Sequence, residues 1–499
     1  MLRSVGNYQV SVAKKYHRFS GTENLGERIK SMKEPIIVQF DPDVDGCVSG
    51  LLICKYLKGI GKKFNWCINT NREHGLHPKL RDVKGRSIIA VDFVVEESEI
   101  NELVMMGNRI INIDHHVNGK KPIELVGEGD SWGIVINNQF ECEEKDGRYL
   151  SGAGVVFESL VGVEPNFDTK ENRALVGLTL LSDVRNIEND LARGYLQDLY
   201  THKYKGYIGY LIEHTIGEKD YGFGVPRMDR NYVDFKFSPA INSCLRFNQE
   251  DMVVEFFLGS GYLDLGYHTL QKELVQQIQG CVKIYDFSNL RVCFFYETDI
   301  EVKYRDVLSS FVGLVASRYL DGVHSVICYM VAYKKGKPYV RRASFRGNIN
   351  GLDYLSEIEK YVDGKGHGPA FGIRKLVPSK KLFSILNEVC KNVEKDSKYV
   401  KNITEVVNLS MFVNRLGFEY GEHNMYSLAK NMKYLRYTGK NIHTRRSGGN
   451  FQEYSVDGIT VLCFDKDVDF DNGVILPINE RGVLCMYLEA DSSKNIPVE

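Results

Sequence analysis

IIVQFDPDVDGCVS, residues 36–49, decides how this chain is read. Ile36, Ile37, Val38 and Phe40 form the short apolar run of a strand, and Asp41, Asp43 and Asp45 fill the turn that follows. After Gly46, an apolar stretch from Val48 to Leu57 reads as a helix. Three carboxylates on one strand-to-helix turn repel one another. Taken alone, such a turn reads first as a solvated acidic loop. Inside a compact domain it calls for cations, and hard oxygen donors suit Mg²⁺ or Mn²⁺.

Downstream, short apolar runs alternate with helical ones: FNWCI at 64–68, SIIAVDF at 87–93, a helical segment near 95–106, and RIINIDHH at 109–116. This alternation predicts an α/β fold with a doubly wound parallel sheet, in which ligands bind at the carboxyl ends of the strands. Asp92 closes one strand, and Asp114, His115 and His116 close another. Asp183 ends the apolar helical run NRALVGLTLLSDV. Singly, each has a plain structural use, since an Asp can end a strand or cap a helix and a His pair can serve core hydrogen bonds. Jointly, several separate strand ends would have to deliver carboxylate or imidazole to one edge by chance, so a two-metal site is the better reading.

A chain of 499 residues has room for two to four domains, each with its own core. Its 64 Lys and Arg nearly balance 65 Asp and Glu, for a net charge of −1, which excludes a protein that coats duplex DNA through a uniformly basic surface. The 11 cysteines include no C-x-x-C pair, so neither a zinc knuckle nor a disulfide framework is signalled. The opening MLRSVGNYQVSVAKKYHRF lacks the apolar core of a signal peptide, and no run approaches ~20 apolar residues. These features predict a cytoplasmic protein without a membrane partner.

DPDVDG, the Asp of AVDF, the DHH at 114–116 and the Asp of LLSD resemble the four metal-site motifs of the DHH phosphoesterase superfamily. LSGAGVVFESL (150–160) is similar to the glycine-rich helix start of RecJ-type exonucleases, and SPAINSCLRF (238–247) to their Pro-x-x-Asn-x-x-x-Arg motif. GLVASRYL (313–320), ASFRG (343–347) and GKGHGPAFG (364–372) resemble the DHH-associated substrate-binding domain. Three positions depart from the family pattern: Gln39, where some DHH phosphatases have a His ligand, Leu245, and Lys365 in Gly-Lys-Gly-His.

The resemblance implies a DHH domain over 34–255, after a leader at 1–33, and a helical linker over 256–284. A smaller α/β DHH-associated domain across a cleft follows at 285–385, and a β-rich C-terminal domain at 400–499, of unknown role, lies outside the resemblance. In that last part KYLRYTGKNIHTRR (433–446) interleaves Tyr with Lys and Arg, which fits a single-strand platform or an exposed sheet face equally. The Tyr-rich stretch 195–210 carries the same ambiguity.

By the resemblance, Asp92 bridges two divalent ions, with Asp41, Asp43, Asp45, His115 and Asp183 as the other ligands. Asp114 orients His115, and His116 touches the scissile phosphate. The mixed carboxylate and imidazole set favours Mn²⁺ over Mg²⁺. Ser344, Arg346, Gly366 and His367 clamp a phosphate in the second domain, where Gly364–Gly368 is expected as a turn whose amides approach it. Asn242 and Arg246 guide the strand. The implied activity is hydrolysis of single-stranded DNA, favoured over RNA, to 5′-mononucleotides in the 5′-to-3′ direction. The alternatives are a short-oligonucleotide or cyclic-dinucleotide phosphodiesterase, a pyrophosphatase disfavoured by the Gly-x-Gly-His pattern, and a non-catalytic nucleic-acid-binding module.

Overall fold

The computed structural model describes residues 19, 22–70, 73–116, 123–140, 145–183, 185, 190–201, 206–215, 228, 232–287, 289–320, 324–347, 354–362, 364–367, 370–373, 377–396, 403–406, 409, 434–447, 452–463, 470, 473–480 and 483–490. The chain divides into two compact units, one made of residues 1–242 and 250–263 and the other of 243–249 and 264–499. No helix among the described residues is long and apolar enough to cross a membrane.

In the first unit β1 (Ile36–Phe40), β2 (Phe64–Ile68), β3 (Ser87–Val91), β4 (Arg109–Asp114), β5 (Ile123–Val126) and β6 (Trp132–Asn137) form a sheet of order β2-β1-β3-β4-β6-β5. Every neighbouring pair is parallel except β5 with β6. All residues of β3 and β4 are buried, which is why these runs are continuous rather than alternating. β1 lies between β2 and β3, so the crossovers diverge at its carboxyl end, and the acidic turn sits there.

The helix after β1 spans Val44–Gly59, starting at Val44 rather than Val48. Asp43 is its N-cap, with Oδ1 accepting from the Gly46 amide at 3.0 Å. Asp45 and Gly46 therefore belong to the first helical turn, where a carboxylate also meets the positive end of the helix dipole. The helix is buried on nearly every side and packs on the helices Gly152–Val163 and Lys170–Ser182. It approaches β1 so closely that a Cβ on Gly50 would lie 2.4 Å from the Phe40 ring.

In the Tyr-rich stretch, Tyr195, Tyr207 and Tyr210 serve packing, and Tyr204 lies outside the described residues. Tyr195 is buried and its hydroxyl donates to Glu158. Tyr207 and Tyr210 stack with centroids 5.9 Å apart, and their hydroxyls donate to the carbonyls of Phe257 and Gly261.

The second unit contains β7 (Lys283–Asp286), β8 (Leu290–Tyr296), β9 (Ser325–Lys334), β10 (Lys337–Arg346), β11 (Gly364–His367), β12 (Ala370–Ile373) and β13 (Val377–Pro378). Their order is β11-β12-β10-β9-β8-β7, with β13 on β10, and only β8 with β9 is parallel. Val292, Ile327, Tyr329 and Phe345 share one core with Leu382 and Leu386 of the helix Ser379–Asp396. Cys293, Phe295, Val326 and Cys328 share another with Leu274 and Ile278 of Gly266–Cys281 and with Val315 of Val312–Arg318. GKGH corrects an expectation: it is the edge strand β11, in register with β12 through Gly364 opposite Ile373 and Gly366 opposite Phe371, not a turn. Gly368 and the His367 side chain lie outside the described residues.

The last sheet has β14 (Ile403–Val406), β15 (Tyr434–Tyr437), β16 (Ile442–Ser447), β17 (Gln452–Val456), β18 (Ile459–Cys463), β19 (Gly473–Glu480) and β20 (Val483–Ala490), in the order β14-β15-β19-β20-β18-β17-β16. The basic aromatic run thus becomes β15 and β16. Tyr437 is buried with its ring against Phe470, so it fills the core rather than offering a face to a base.

Gly50→Ala is expected to destabilise the protein by about 1–3 kcal/mol, because the methyl group must displace a packed ring. Gly59, exposed at the end of the same helix with nothing near its Cβ position, should accept Ala with no loss or a gain of up to about 1 kcal/mol. Urea denaturation midpoints of the two variants check the pair.

Candidate metal centre

Asp41 leaves β1, Asp92 leaves β3 and Asp114 ends β4, and the three are 3%, 2% and 1% exposed. Neighbouring parallel strands present their carboxyl ends at one edge, so residues far apart in sequence converge. Asp92 has φ +67°, a left-handed backbone that Asp tolerates better than bulkier residues. Asn112 on β4 staples this turn, donating from Nδ2 to the carbonyls of Ala90 at 3.1 Å and Phe93 at 2.9 Å, while Oδ1 accepts from the Val95 amide.

The start of the helix Gly152–Val163 supplies the next constraint. The amides of Gly152 and Ala153 donate to Asp45 Oδ2 at 2.7 Å and Oδ1 at 2.9 Å, so both oxygens are held by a helix N-terminus. A Cβ on residue 152 would sit 2.2 Å from Asp92 Oδ1. Only glycine lets this helix and Asp92 come so close.

His115 lies at the middle of the constellation. Its Nε2 is 3.1 Å from Asp92 Oδ1, 3.8 Å from Asp45 Oδ2 and 3.8 Å from Asp183 Oδ2. Asp183 caps the helix Lys170–Ser182 and is 3.8 Å from Arg185 Nε. Three sets bring ligand atoms within 4.8 Å of one another: Asp41 with Asp43 and Asp92, Asp45 with His115 and Asp183, and Asp92 with His115 and His116. Asp92 and His115 each belong to two sets, the arrangement a pair of adjacent cations would share. Asp114 departs from its expected role: its Oδ1 lies 2.7 Å from His116 Nδ1, so it orients His116 and not His115. Asn137 supports this pair, donating to Asp114 Oδ2 at 3.4 Å and to the His116 carbonyl at 3.2 Å.

Burial, and then the charges of Asp45, Asp43 and Asp41, push the Asp92 carboxyl well above the usual range. Burial with Asp183 and Asp43 does the same to Asp45, and burial raises Asp41 against the pull of His74. Burial disfavours a charged His116, but the Asp114 carboxylate, together with the charges of Asp41 and Asp183, outweighs it and lifts His116 to about 9. Asp92 Oδ1 is buried and accepts no hydrogen bond from the described residues. A buried carboxylate oxygen without a donor, among like charges and imidazole, fits a divalent cation.

Several residues of this centre carried no readable signal. Besides Asn112 and Asn137, His74 places Nδ1 2.7 and 2.8 Å from the two oxygens of Asp41. In the second unit Arg346, at the end of β10, donates to Ser344 Oγ at 2.8 Å and the Phe345 carbonyl at 2.6 Å. Gly313 makes room for it, since a Cβ there would be 2.5 Å from Arg346 Nη2. Arg246, expected to guide a strand, donates from Nη1 to the buried Gln271 at 2.8 Å, and its carbonyl accepts from Ser310. Asn242, on the same helix Ser238–Arg246, is half-buried, and its Oδ1 accepts no hydrogen bond from the described residues.

Residues 35–181 match the DHH family, N-terminal domain. A protein of Bacillus subtilis (strain 168) named as an SPbeta prophage-derived single-strand DNA-specific exonuclease is 24% identical over 412 residues, covering 74% of this chain and 68% of the relative. Among solved structures, RecJ from Thermus thermophilus in complex with Mn²⁺ is similar with a TM-score of 0.60 at 17% identity, over 96% of this chain and 72% of that one. An exonuclease RecJ bound to manganese gives 0.53 at 18% identity, over 76% of this chain and 96% of that one.

Linkage sets the expected pH response of the chelated protein. Asp41, Asp45 and Asp92 are raised above the ordinary 3.8, so the folded state holds protons the unfolded state has released, and stability falls as pH rises above that value. His116, raised from 6.5 to about 9, adds stability that is complete below the lower value and lost as pH passes the higher. Melting temperature with chelator should therefore fall from mildly acid to alkaline pH. Saturating Mn²⁺ should raise it most at the alkaline end, as differential scanning calorimetry would show.

Proposed function

We propose, for a chain whose residues 35–181 form a DHH domain and whose fold is of RecJ type, that it is a divalent-metal-dependent nuclease. In finer terms it is a two-metal exodeoxyribonuclease that digests single-stranded DNA to 5′-mononucleotides from the 5′ end. The observation that carries this reading is the buried, donorless Asp92 Oδ1 amid Asp41, Asp45, His115 and Asp183. The relative named as a single-strand DNA-specific exonuclease supports the substrate class.

Asp41, Asp43, Asp45, Asp92, His115 and Asp183 would hold two cations, Mn²⁺ before Mg²⁺ because imidazole belongs to the set. When bound, such ions make a hydroxide-like nucleophile available at neutral pH and neutralise charge on the phosphate. The chain's own groups do the rest. Asp45, clamped by two amides, keeps one wall of the site fixed. His116, with Nδ1 committed to Asp114, turns Nε2 to a phosphate oxygen or to the leaving oxygen. Arg346 offers its guanidinium to a phosphate, with Ser344 and Gly313 setting its position. His367 and Gly366 would add to that phosphate site, and Asn242 and Arg246 to strand guidance.

A small-substrate phosphodiesterase is the second reading, favoured by the burial of Tyr195 and Tyr437, which removes two rings from any stacking platform. End-labelled single strands, blunt duplex and a dinucleotide offered with Mn²⁺ separate the two. Processive release of mononucleotides from the long strand, falling steeply with salt, is expected. Faster dinucleotide cleavage without salt dependence would transfer the assignment to the second reading.

Asp92→Ala should nearly abolish hydrolysis and weaken Mn²⁺ binding in calorimetry, because both overlapping ligand sets lose a member. His116→Ala should keep metal affinity and lose kcat. Arg346→Ala should raise KM for single strands with metal affinity unchanged, and a wild-type kcat/KM there would place phosphate capture elsewhere.

A further inference from the structure

We infer that His74, on a loop latched to β1 by Gln39, is a positioning residue that fixes the Asp41 carboxylate for cation binding. The inference rests on the reading of Asp41 as a ligand. Gln39 is 1% exposed, and a buried amide needs partners on both its oxygen and its nitrogen. It finds them in one place: Nε2 donates to the Gly75 carbonyl at 2.9 Å and Oε1 accepts from the His77 amide at 3.0 Å. Asn69, which follows β2, donates to the same Gly75 carbonyl at 2.7 Å. The loop turns at Gly75, with φ +100°, and the residue before the turn is His74.

Gln39 and Asp41 are two residues apart along an extended segment, so their side chains leave the same side of the chain. The loop anchored by the first therefore reaches the second. Asp45 has two backbone amides on its carboxylate, whereas the only described donor to the Asp41 carboxylate is His74. An ionised carboxylate can only accept, so Nδ1 carries the proton in this pair. With Nδ1 committed in this way and the ring 43% exposed, His74 holds a ligand rather than serving as one. The geometry also gives Gln39 a use: it supports from behind, through the loop, a carboxylate at the site's edge.

Three variants test this by calorimetry with Mn²⁺, which needs no substrate. His74→Ala, at a half-exposed side chain, should keep the melting temperature and lose about 10–100-fold in affinity at one cation site. His74→Asn keeps an N–H donor where Nδ1 was and should restore most of it. Gln39→Leu should reproduce the loss, and the double variant should be no worse than either single one, because both break one chain of contacts. On single-stranded DNA the His74→Ala deficit should be recovered by raising Mn²⁺, with KM for the strand unchanged. Wild-type affinity in His74→Ala overturns the inference, as does a lost rate that added Mn²⁺ leaves unrepaired, which would mean the ring meets substrate. If the affinity shift appears in a protein that cleaves no single strands, the relay stands and the nuclease assignment fails.

Discussion

Mutual repulsion among buried carboxylates is the constraint on which the rest of this structure depends. Asp41, Asp45 and Asp92 are each 3% exposed or less, and Asp43 and Asp183 stand beside them. At separations of a few ångström in a poorly solvated site, each like-charge pair costs on the order of a few kcal/mol. The fold answers with rigid supports. Both oxygens of Asp45 are held by helix amides, Asp92 is held in a left-handed backbone by the Asn112 staple, and Asp114 is tied to His116 and Asn137. None of these supports donates a hydrogen bond to Asp92 Oδ1, which lies 3.1 Å from His115 Nε2, and a divalent cation would relieve the repulsion that remains.

The parallel sheet and most of its acidic edge are legible in the sequence because they are local. β1, β3 and β4 are runs of apolar residues with a carboxylate at their end or immediately after, and period and punctuation are carried by adjacent residues. Partners set by the fold leave no such mark. His74, Asn112 and Asn137 are ordinary polar residues in sequence, and they matter because parallel crossovers return them beside Asp41, Asp92 and Asp114. The role of Asp114 differs from its expectation for the same reason. His115 and His116 both follow within two residues, and only the strand's direction at its last residue decides which ring meets the carboxylate.

Glycine-rich and tyrosine-rich stretches mislead in a consistent way. GKGH has the composition of a turn, yet a neighbouring strand supplies a ladder, and tertiary pairing overrides weak local preference. Tyr437, Tyr207 and Tyr210 have the composition of a stacking platform, yet each ring is amphipathic and finds a core or a carbonyl. Gly152 and Gly313 are instead informative, since each leaves space that a single carboxylate or guanidinium fills.

The arrangement around Asp92 bears on whether the site is used. A chain with no cation to bind would be more stable with Asn at 92, where the amide removes a buried charge at a position whose Oδ1 accepts no hydrogen bond from the described residues. It would also be relieved by Gly in the left-handed turn, and by a larger residue at 152 with Asp92 displaced. A non-catalytic binding module needs none of these features, because its surface can recognise nucleic acid without burying repulsive groups. Strain and repulsion concentrated at one sheet edge, with supports that leave Asp92 Oδ1 lacking a donor, are properties of a site organised around cations. That argument holds whichever substrate is cleaved there, so it favours an enzyme over a scaffold before it favours a long strand over a short one.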